Sequence, residues 1–156
     1  MKNLNDKVVV ITGAAGGMGR EMAIQAAQQG ALLAISDWNE DALNETADLC
    51  KQAGAKRVRA DKVDVSDRDA MKDWAASVAE EFGRVNMVIN NAGVTVTGDF
   101  ETMSYEDFDW IVGINASRAV RALRESQTGH RESMSAGRVQ TPTLALLVHR
   151  ELEIRN

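Results

Sequence analysis

One stretch near the start of the chain, Val8–Gly19, constrains the fold more than any other. It begins with four β-branched residues, too few for a buried helix, and continues Thr-Gly-Ala-Ala-Gly-Gly-Met-Gly. A short apolar run that ends in turn residues predicts a strand buried on both faces, and Arg20–Gln29 then has the pattern of a helix. A strand, a glycine turn and a helix place unpaired backbone N–H groups where an anionic phosphate can bind. A structural turn that binds nothing is the alternative.

A second apolar run, Ala31–Ser36, predicts a second buried strand, and an acidic residue follows it directly. This residue, Asp37, comes 18 positions after Gly19, the spacing with which a βαβ unit brings a carboxylate to the ribose of a dinucleotide. A carboxylate there accepts hydrogen bonds from both ribose hydroxyls and repels a 2′-phosphate, and no Arg or Lys follows to offset the repulsion. We therefore expect NAD in preference to NADP; the alternative is that Asp37 only caps a helix.

The rest of the first 115 residues continues the alternation of strands and helices. Helices are predicted over Glu40–Ala53 and Asp67–Phe82, and strands over Arg57–Val63 and Asn86–Ile89. Successive right-handed βαβ units predict an α/β fold, a Rossmann-like doubly wound parallel sheet with strand order 3-2-1-4. Ligands of such sheets bind at the carboxyl ends of the strands, where the polar motifs of this sequence fall. The fourth strand would be an apolar edge, so we also expect self-association through it.

A further helix is predicted to begin near Ser104, which forms a capping box with Asp107, and to run past Asn115. Asn115 ends an apolar stripe on this helix. A polar residue in that position is either a hydrogen-bonded core residue or a residue of a functional site, and the pattern alone leaves both open.

Five motifs in this order resemble the classical short-chain dehydrogenases/reductases, over residues 4 to about 115. The motifs are Thr12-Gly13-x-x-x-Gly17-x-Gly19, Asp37, Asp64-Val65, Asn90-Asn91-Ala92-Gly93 and Asn115. The resemblance implies hydride transfer between NAD(P)H and an alcohol or carbonyl, without a metal. It implies these cofactor-binding residues: Thr12, Gly13, Gly17, Met18, Gly19, Asp37, Asp64, Val65, Asn91, Ala92 and Gly93. Asn115 would match the asparagine of that family's catalytic tetrad.

The sequence departs from that family in its catalytic motif. The resemblance implies a Ser and a Tyr-x-x-x-Lys after Asn115, in which the tyrosine is the general acid/base and the lysine lowers its pKa. Here the only tyrosine, Tyr105, precedes Asn115, and no lysine follows Lys72. We therefore expect an NAD-binding oxidoreductase with impaired catalysis. A non-catalytic dinucleotide-binding or interaction module is the alternative.

The charge and the choice of basic residue change near residue 116. Residues 1–115 carry 11 Lys and Arg against 19 Asp and Glu, whereas residues 116–156 carry 7 against 4, and all seven are Arg. Within this Arg-rich tail, predicted to be helical, residues 133–155 resemble a short stretch of type IA DNA topoisomerases. The sequence thus predicts an NAD(P)-binding Rossmann domain over 1–115 and a tail of different origin over 116–156, as in a chimera. A fusion whose basic tail contacts nucleic acid is a further alternative, disfavoured by the net charge of −5.

The composition also limits the cellular compartments in which the protein is expected. A single cysteine, Cys50, precludes an internal disulfide and is expected to be a structural thiol in a helix. No apolar run approaches the length of about 18 residues needed to span a bilayer, and the first residues lack a signal-peptide pattern. The expectation is a cytoplasmic protein without contact to membranes.

Overall fold

The structure is a computed structural model that describes residues 3–96 and 103–115. Strands and helices alternate along the chain: β1 (Val8–Thr12), α1 (Gly17–Gln28), β2 (Leu32–Asp37), α2 (Glu40–Gln52), β3 (Arg57–Lys62), α3 (Arg68–Phe82), β4 (Met87–Asn90) and α4 (Tyr105–Asn115). The predicted tail over residues 116–156, with its topoisomerase-like stretch, lies outside the described residues.

The four strands form one parallel sheet in the order β3-β2-β1-β4, which confirms the predicted doubly wound arrangement. β1 lies inside the sheet and all five of its residues are buried, which explains why it is β-branched on both faces. Thr12, the last residue of β1, lies in register with Ser36 of β2 and Asn90 of β4. The carboxyl ends of three strands therefore meet at one edge of the sheet.

Two apolar clusters cover the two faces of the sheet, because alternate side chains of a strand point to opposite faces. Val9 and Ile11 of β1 join the cluster to which α1 and α2 contribute. Val8 and Val10 join the cluster formed with α3. Full burial of an aliphatic side chain of this size stabilises a fold by about 1.5–3 kcal/mol, so β1 is central to stability as well as to topology.

The start of α1 differs from the prediction. The sequence predicted a helix from Arg20, whereas α1 begins at Gly17. The last glycines of the motif are thus part of the first helical turn, despite the low helix propensity of glycine. This places the N-terminus of α1 directly at the glycine turn.

Cys50 of α2 is fully buried, at 0% exposure. Burial raises the pKa of its thiol from 9.0 to about 11, so the thiol stays protonated at neutral pH. It is a structural residue, because the thiolate is the reactive form. Within residues 3–96 and 103–115, no helix is long and apolar enough to cross a membrane.

Candidate functional site

The carboxyl ends of the strands open into one cleft of about 740 Å³, a volume typical of small-molecule sites. Its walls come from the segments that follow all four strands, together with α2 and α4. The lining residues are Gly13, Ala15, Gly16, Asp37, Trp38, Asn39, Ala42, Val63, Asp64, Val65, Ser66, Asn91, Ala92, Gly93, Val94, Trp110 and Ile114. The fold therefore brings motifs far apart in sequence to one place.

Three glycines of the turn are required by the backbone. Gly13 and Gly17 have φ angles of +68° and +52°, which side chains rarely allow. A Cβ on Gly13 would also lie 2.7 Å from the Cα of Ala92, so the turn and the loop after β4 are in direct contact. A Cβ on Gly19 would overlap the carbonyl oxygen of Gly13. These glycines let the N-terminus of α1 approach the end of β1 closely.

Gly16 is different, because a Cβ there would meet nothing within 4 Å. Its φ and ψ, −165° and −176°, are extended backbone that any residue adopts. Gly16 is the N-cap of α1, yet no side chain caps this helix and no acidic residue lies in its first turn. An uncapped helix N-terminus beside open space favours an anion, because its N–H groups and its dipole are uncompensated. The turn therefore fits a diphosphate.

Asp37, the last residue of β2, holds a nearly buried carboxylate in the cleft wall, with 9% exposure. Its Oδ2 accepts a hydrogen bond from the N–H of Ala15 at 2.9 Å, and its Oδ1 accepts one from the N–H of Asn39 at 3.0 Å. Each oxygen keeps further acceptor capacity for a ligand. Asp37 is not the cap of α2. That cap is Asn39, whose side chain accepts a hydrogen bond from the N–H of Ala42.

Thr12 and Asn91 fasten the glycine turn to the loop after β4. The Thr12 hydroxyl oxygen accepts hydrogen bonds from the N–H groups of Asn91 and Ala92, each at 3.2 Å. The side-chain Nδ2 of Asn91 donates to the carbonyl oxygens of Thr12 at 3.2 Å and Gly13 at 2.9 Å. Both side chains thereby set the distance between two walls of the cleft.

Asn115, at the end of α4, holds the same loop further along. Its Oδ1 accepts from the N–H of Val94 and its Nδ2 donates to the carbonyl oxygen of Val94, both at 3.0 Å. The structure thus shows Asn115 as a half-buried residue hydrogen-bonded to the backbone of Val94. Its match to a catalytic asparagine stays a prediction.

The predicted site residues fall into two groups. Seven line the cleft: Gly13, Asp37, Asp64, Val65, Asn91, Ala92 and Gly93. The others, Thr12 at the end of β1 and Gly17, Met18 and Gly19 in the first turn of α1, adjoin it, and Met18 is 63% exposed. Their contacts with a cofactor stay predictions.

Sequence reasoning missed several lining residues that the fold contributes. Trp38 directly follows Asp37 and is 75% exposed, and Trp110 of α4 is 45% exposed. Ile114 lies four residues after Trp110, so both share one helix face. That spacing was the available signal, and it needed the position of α4 to be interpreted. In the part of the chain that the structure describes, no cluster of His, Cys, Asp and Glu is arranged to hold a metal.

Comparisons with known proteins give a consistent result. A family model described as short chain dehydrogenase matches residues 7–139, which includes part of the predicted tail. The chain is similar to a putative oxidoreductase, SadH, of Mycobacterium tuberculosis, with 36% identity over 115 residues that cover 74% of this chain and 41% of that protein. The chain thus spans less than half of the length of this curated relative.

Solved structures are similar as well. A short chain dehydrogenase/reductase of Burkholderia phymatum in complex with NAD matches with a TM-score of 0.77 and 34% identity, over 87% of this chain and 49% of that one. An alcohol dehydrogenase of Thermococcus sibiricus complexed with 5-hydroxy-NADP matches with a TM-score of 0.72 and 32% identity, over 78% of this chain and 53% of that one. Similar folds thus carry both kinds of dinucleotide.

Proposed function

The chain belongs to the short-chain dehydrogenase family, and on that premise we propose that its cleft binds NAD in preference to NADP. The reaction class proposed with it is oxidoreduction of an alcohol or carbonyl. Bound NAD(H) supplies the hydride acceptor or donor; the residues of this chain bind and orient it.

The observation that carries the proposal is the fixed carboxylate of Asp37. Two backbone N–H groups, from Ala15 and Asn39, orient it in the cleft wall. Among the described residues that line the cleft, the only charged side chains are Asp37 and Asp64, so no Lys or Arg is there to bind a 2′-phosphate. A carboxylate next to a 2′-phosphate disfavours binding through like-charge repulsion, so the uncharged ribose of NAD is favoured.

The turn after β1 supports the phosphate part of the proposal. The N-terminus of α1 is uncapped, and the space next to Gly16 is open. Val65 and the exposed Trp38 provide apolar surface for the adenine on the side of Asp37. A dinucleotide would thus meet an apolar wall, a carboxylate and a helix N-terminus in order.

The proposal also includes impaired catalysis. General acid/base catalysis needs a titratable group within hydrogen-bond reach of the reacting oxygen. The only tyrosine of the sequence, Tyr105, is 88% exposed at the start of α4, and no Tyr-x-x-x-Lys follows Asn115. We propose that these 156 residues by themselves bind the cofactor with little or no turnover.

Calorimetric titration of the folded chain with NAD, NADP and a single-stranded DNA oligonucleotide, each separately, tests the binding proposal. The expected result is NAD binding at least about tenfold tighter than NADP, with no DNA binding. Failure of NAD to bind a chain with a native circular dichroism spectrum would overturn the proposal. NADH oxidation with a panel of aldehydes and ketones then tests the impairment, and turnover at a rate ordinary for the family would contradict it.

A further inference from the structure

The feature behind this inference is Arg20, which follows Gly19 in the first turns of α1. A basic residue there opposes the helix dipole, so its position needs another explanation. The guanidinium supplies one, because its Nη2 donates to the carbonyl oxygens of Ala15 at 2.6 Å and Ala42 at 3.0 Å. Its Nε donates to the Thr46 hydroxyl at 2.9 Å. Arg20 thus connects the glycine turn to α2.

The contact with Ala15 has a geometric consequence for the next residue. The described peptide bonds include no cis bond, so the N–H of Gly16 points opposite to the carbonyl of Ala15. Because Arg20 holds that carbonyl, the N–H of Gly16 is directed away from the guanidinium. The N–H of Ala15 in turn donates to Oδ2 of Asp37. Ala15 is therefore held on both sides, by Asp37 at its N–H and by Arg20 at its carbonyl oxygen.

We propose that Arg20 is a positioning residue for the dinucleotide, acting through Ala15. By fixing the peptide unit between Ala15 and Gly16, it presents the Gly16 N–H to the phosphates and keeps the Ala15 N–H on the carboxylate of Asp37. It therefore influences both the affinity for the dinucleotide and the discrimination between NAD and NADP. This inference rests on the proposed function, namely that the cleft binds NAD.

The role requires a guanidinium. The Arg20 side chain reaches the Thr46 hydroxyl with Nε and the two carbonyls with Nη2, whereas a lysine offers one nitrogen for all three acceptors. Glu45 also contacts Nη2, at 3.2 Å, but its side chain is 70% exposed. An exposed ion pair of this kind contributes little, so the uncharged acceptors define the position of Arg20.

The test uses the full chain with Arg20→Met, Arg20→Lys and, as the matched control, Glu45→Gln. We expect Arg20→Met to weaken NAD binding by about 10- to 100-fold and to reduce the preference of NAD over NADP. Arg20→Lys should restore only part of both, and Glu45→Gln should change neither by more than about twofold. In heteronuclear NMR of the free protein, the amide resonances of Ala15 and Gly16 should shift in Arg20→Met.

A loss of general stability would lower the melting temperature without changing the ratio of the two affinities, and that outcome would overturn the inference. So would unchanged affinity and unchanged amide resonances. If the wild-type chain does not bind NAD, the proposed function fails and the positioning role for a dinucleotide fails with it; shifted amide resonances of Ala15 and Gly16 in Arg20→Met would then show only that Arg20 fixes the turn. Should Arg20→Met not fold, Thr46→Val removes the acceptor of Nε, and the same losses must then appear in smaller measure.

Discussion

The carboxylate of Asp37 and the backbone N–H of Ala15 are joined by a hydrogen bond of 2.9 Å that links the end of β2 to the turn after β1. The bond is buried, and it gives one residue two functions. Asp37 lines the cleft where we propose that the ribose binds, and it also holds the turn that we propose faces the phosphates. Changes at Asp37 should therefore affect recognition of the whole dinucleotide rather than of the ribose alone.

Replacing Asp37 with Ser should reverse the cofactor preference. Removal of the fixed negative charge relieves the repulsion of a 2′-phosphate, while NAD loses a charged acceptor for its ribose hydroxyls. We expect NAD affinity to fall by about tenfold or more and the ratio of NADP to NAD affinity to rise by a larger factor, measured by calorimetry. Asp41→Asn, which removes an exposed carboxylate outside the cleft lining, is the control. An equal change of the ratio in that variant would mean that overall charge, and not Asp37, sets the preference.

Replacement by alanine should affect mainly NAD binding at Gly16 and mainly the stability of the fold at Gly19. At Gly16 the backbone is extended and a Cβ meets nothing within 4 Å, so Gly16→Ala should change the free energy of unfolding by less than about 1 kcal/mol. The new methyl group would nonetheless occupy the space proposed for the phosphates and weaken NAD binding. At Gly19 a Cβ overlaps the Gly13 carbonyl, so Gly19→Ala should cost about 1–3 kcal/mol. Urea denaturation and calorimetry on both variants check this, and a stable Gly19→Ala would contradict the geometry of the turn.

Asn115 should contribute to stability through its two hydrogen bonds with Val94. Asn115→Ala leaves the N–H and the carbonyl of Val94 without their partner and should cost about 1–3 kcal/mol in urea denaturation. Faster hydrogen exchange of the Val94 amide should accompany the loss. Asn44→Ala, at an exposed position of α2, is the control and should be neutral or slightly stabilising. Equal losses in the two variants would show that the contact with Val94 contributes nothing.

Cys50 should make stability fall at alkaline pH. Its pKa is about 11 in the folded state against 9.0 as the ordinary value, so the folded state retains a proton that the unfolded state releases. Stability from this group is therefore complete below pH 9 and is lost between pH 9 and 11, by up to about 3 kcal/mol. Denaturation curves of the wild type and Cys50→Ala, compared from pH 7 to 11, isolate this effect from lysine and tyrosine titration. Parallel pH profiles of the two proteins would disprove it.

Self-association should involve the edge of β4. In the described sheet β4 pairs with β1 alone. The Asn86 N–H donates to the Val8 carbonyl, so the N–H groups of Met87 and Ile89 point to the opposite side. No strand within residues 3–96 and 103–115 pairs with this side of β4. A strand edge left in this way is a template for another chain, and sedimentation should show mass that rises with concentration. Hydrogen exchange at Met87 and Ile89 should slow in parallel; exchange that does not depend on concentration would refute the proposed interface.

The order of the strands was predictable because strands and helices alternate as right-handed βαβ units. β1, β2 and β4 are short apolar runs followed by polar motifs, whereas β3 is more polar. The start of α1 was not predictable, because glycine disfavours helices. Only the close approach of Gly19 to the carbonyl oxygen of Gly13 explains why a glycine is needed in the first helical turn. Asp37 was predicted from its spacing after Gly19 and from its place at the end of a strand, and it lies in the wall of the cleft. Arg20 was not predicted, because its partners, Ala15 and Thr46, come together only when α2 packs against α1.

The positions of the three tryptophans have a practical consequence. Trp38 and Trp110 stand at the cleft with 75% and 45% exposure, whereas Trp74 is buried on α3 at 5%. The indoles of Trp38 and Trp110 therefore face a molecule bound in the cleft, whereas the indole of Trp74 is shielded from it. Binding of a nucleotide in the cleft should therefore change the intrinsic fluorescence of Trp38 and Trp110, so that a titration needs no added dye.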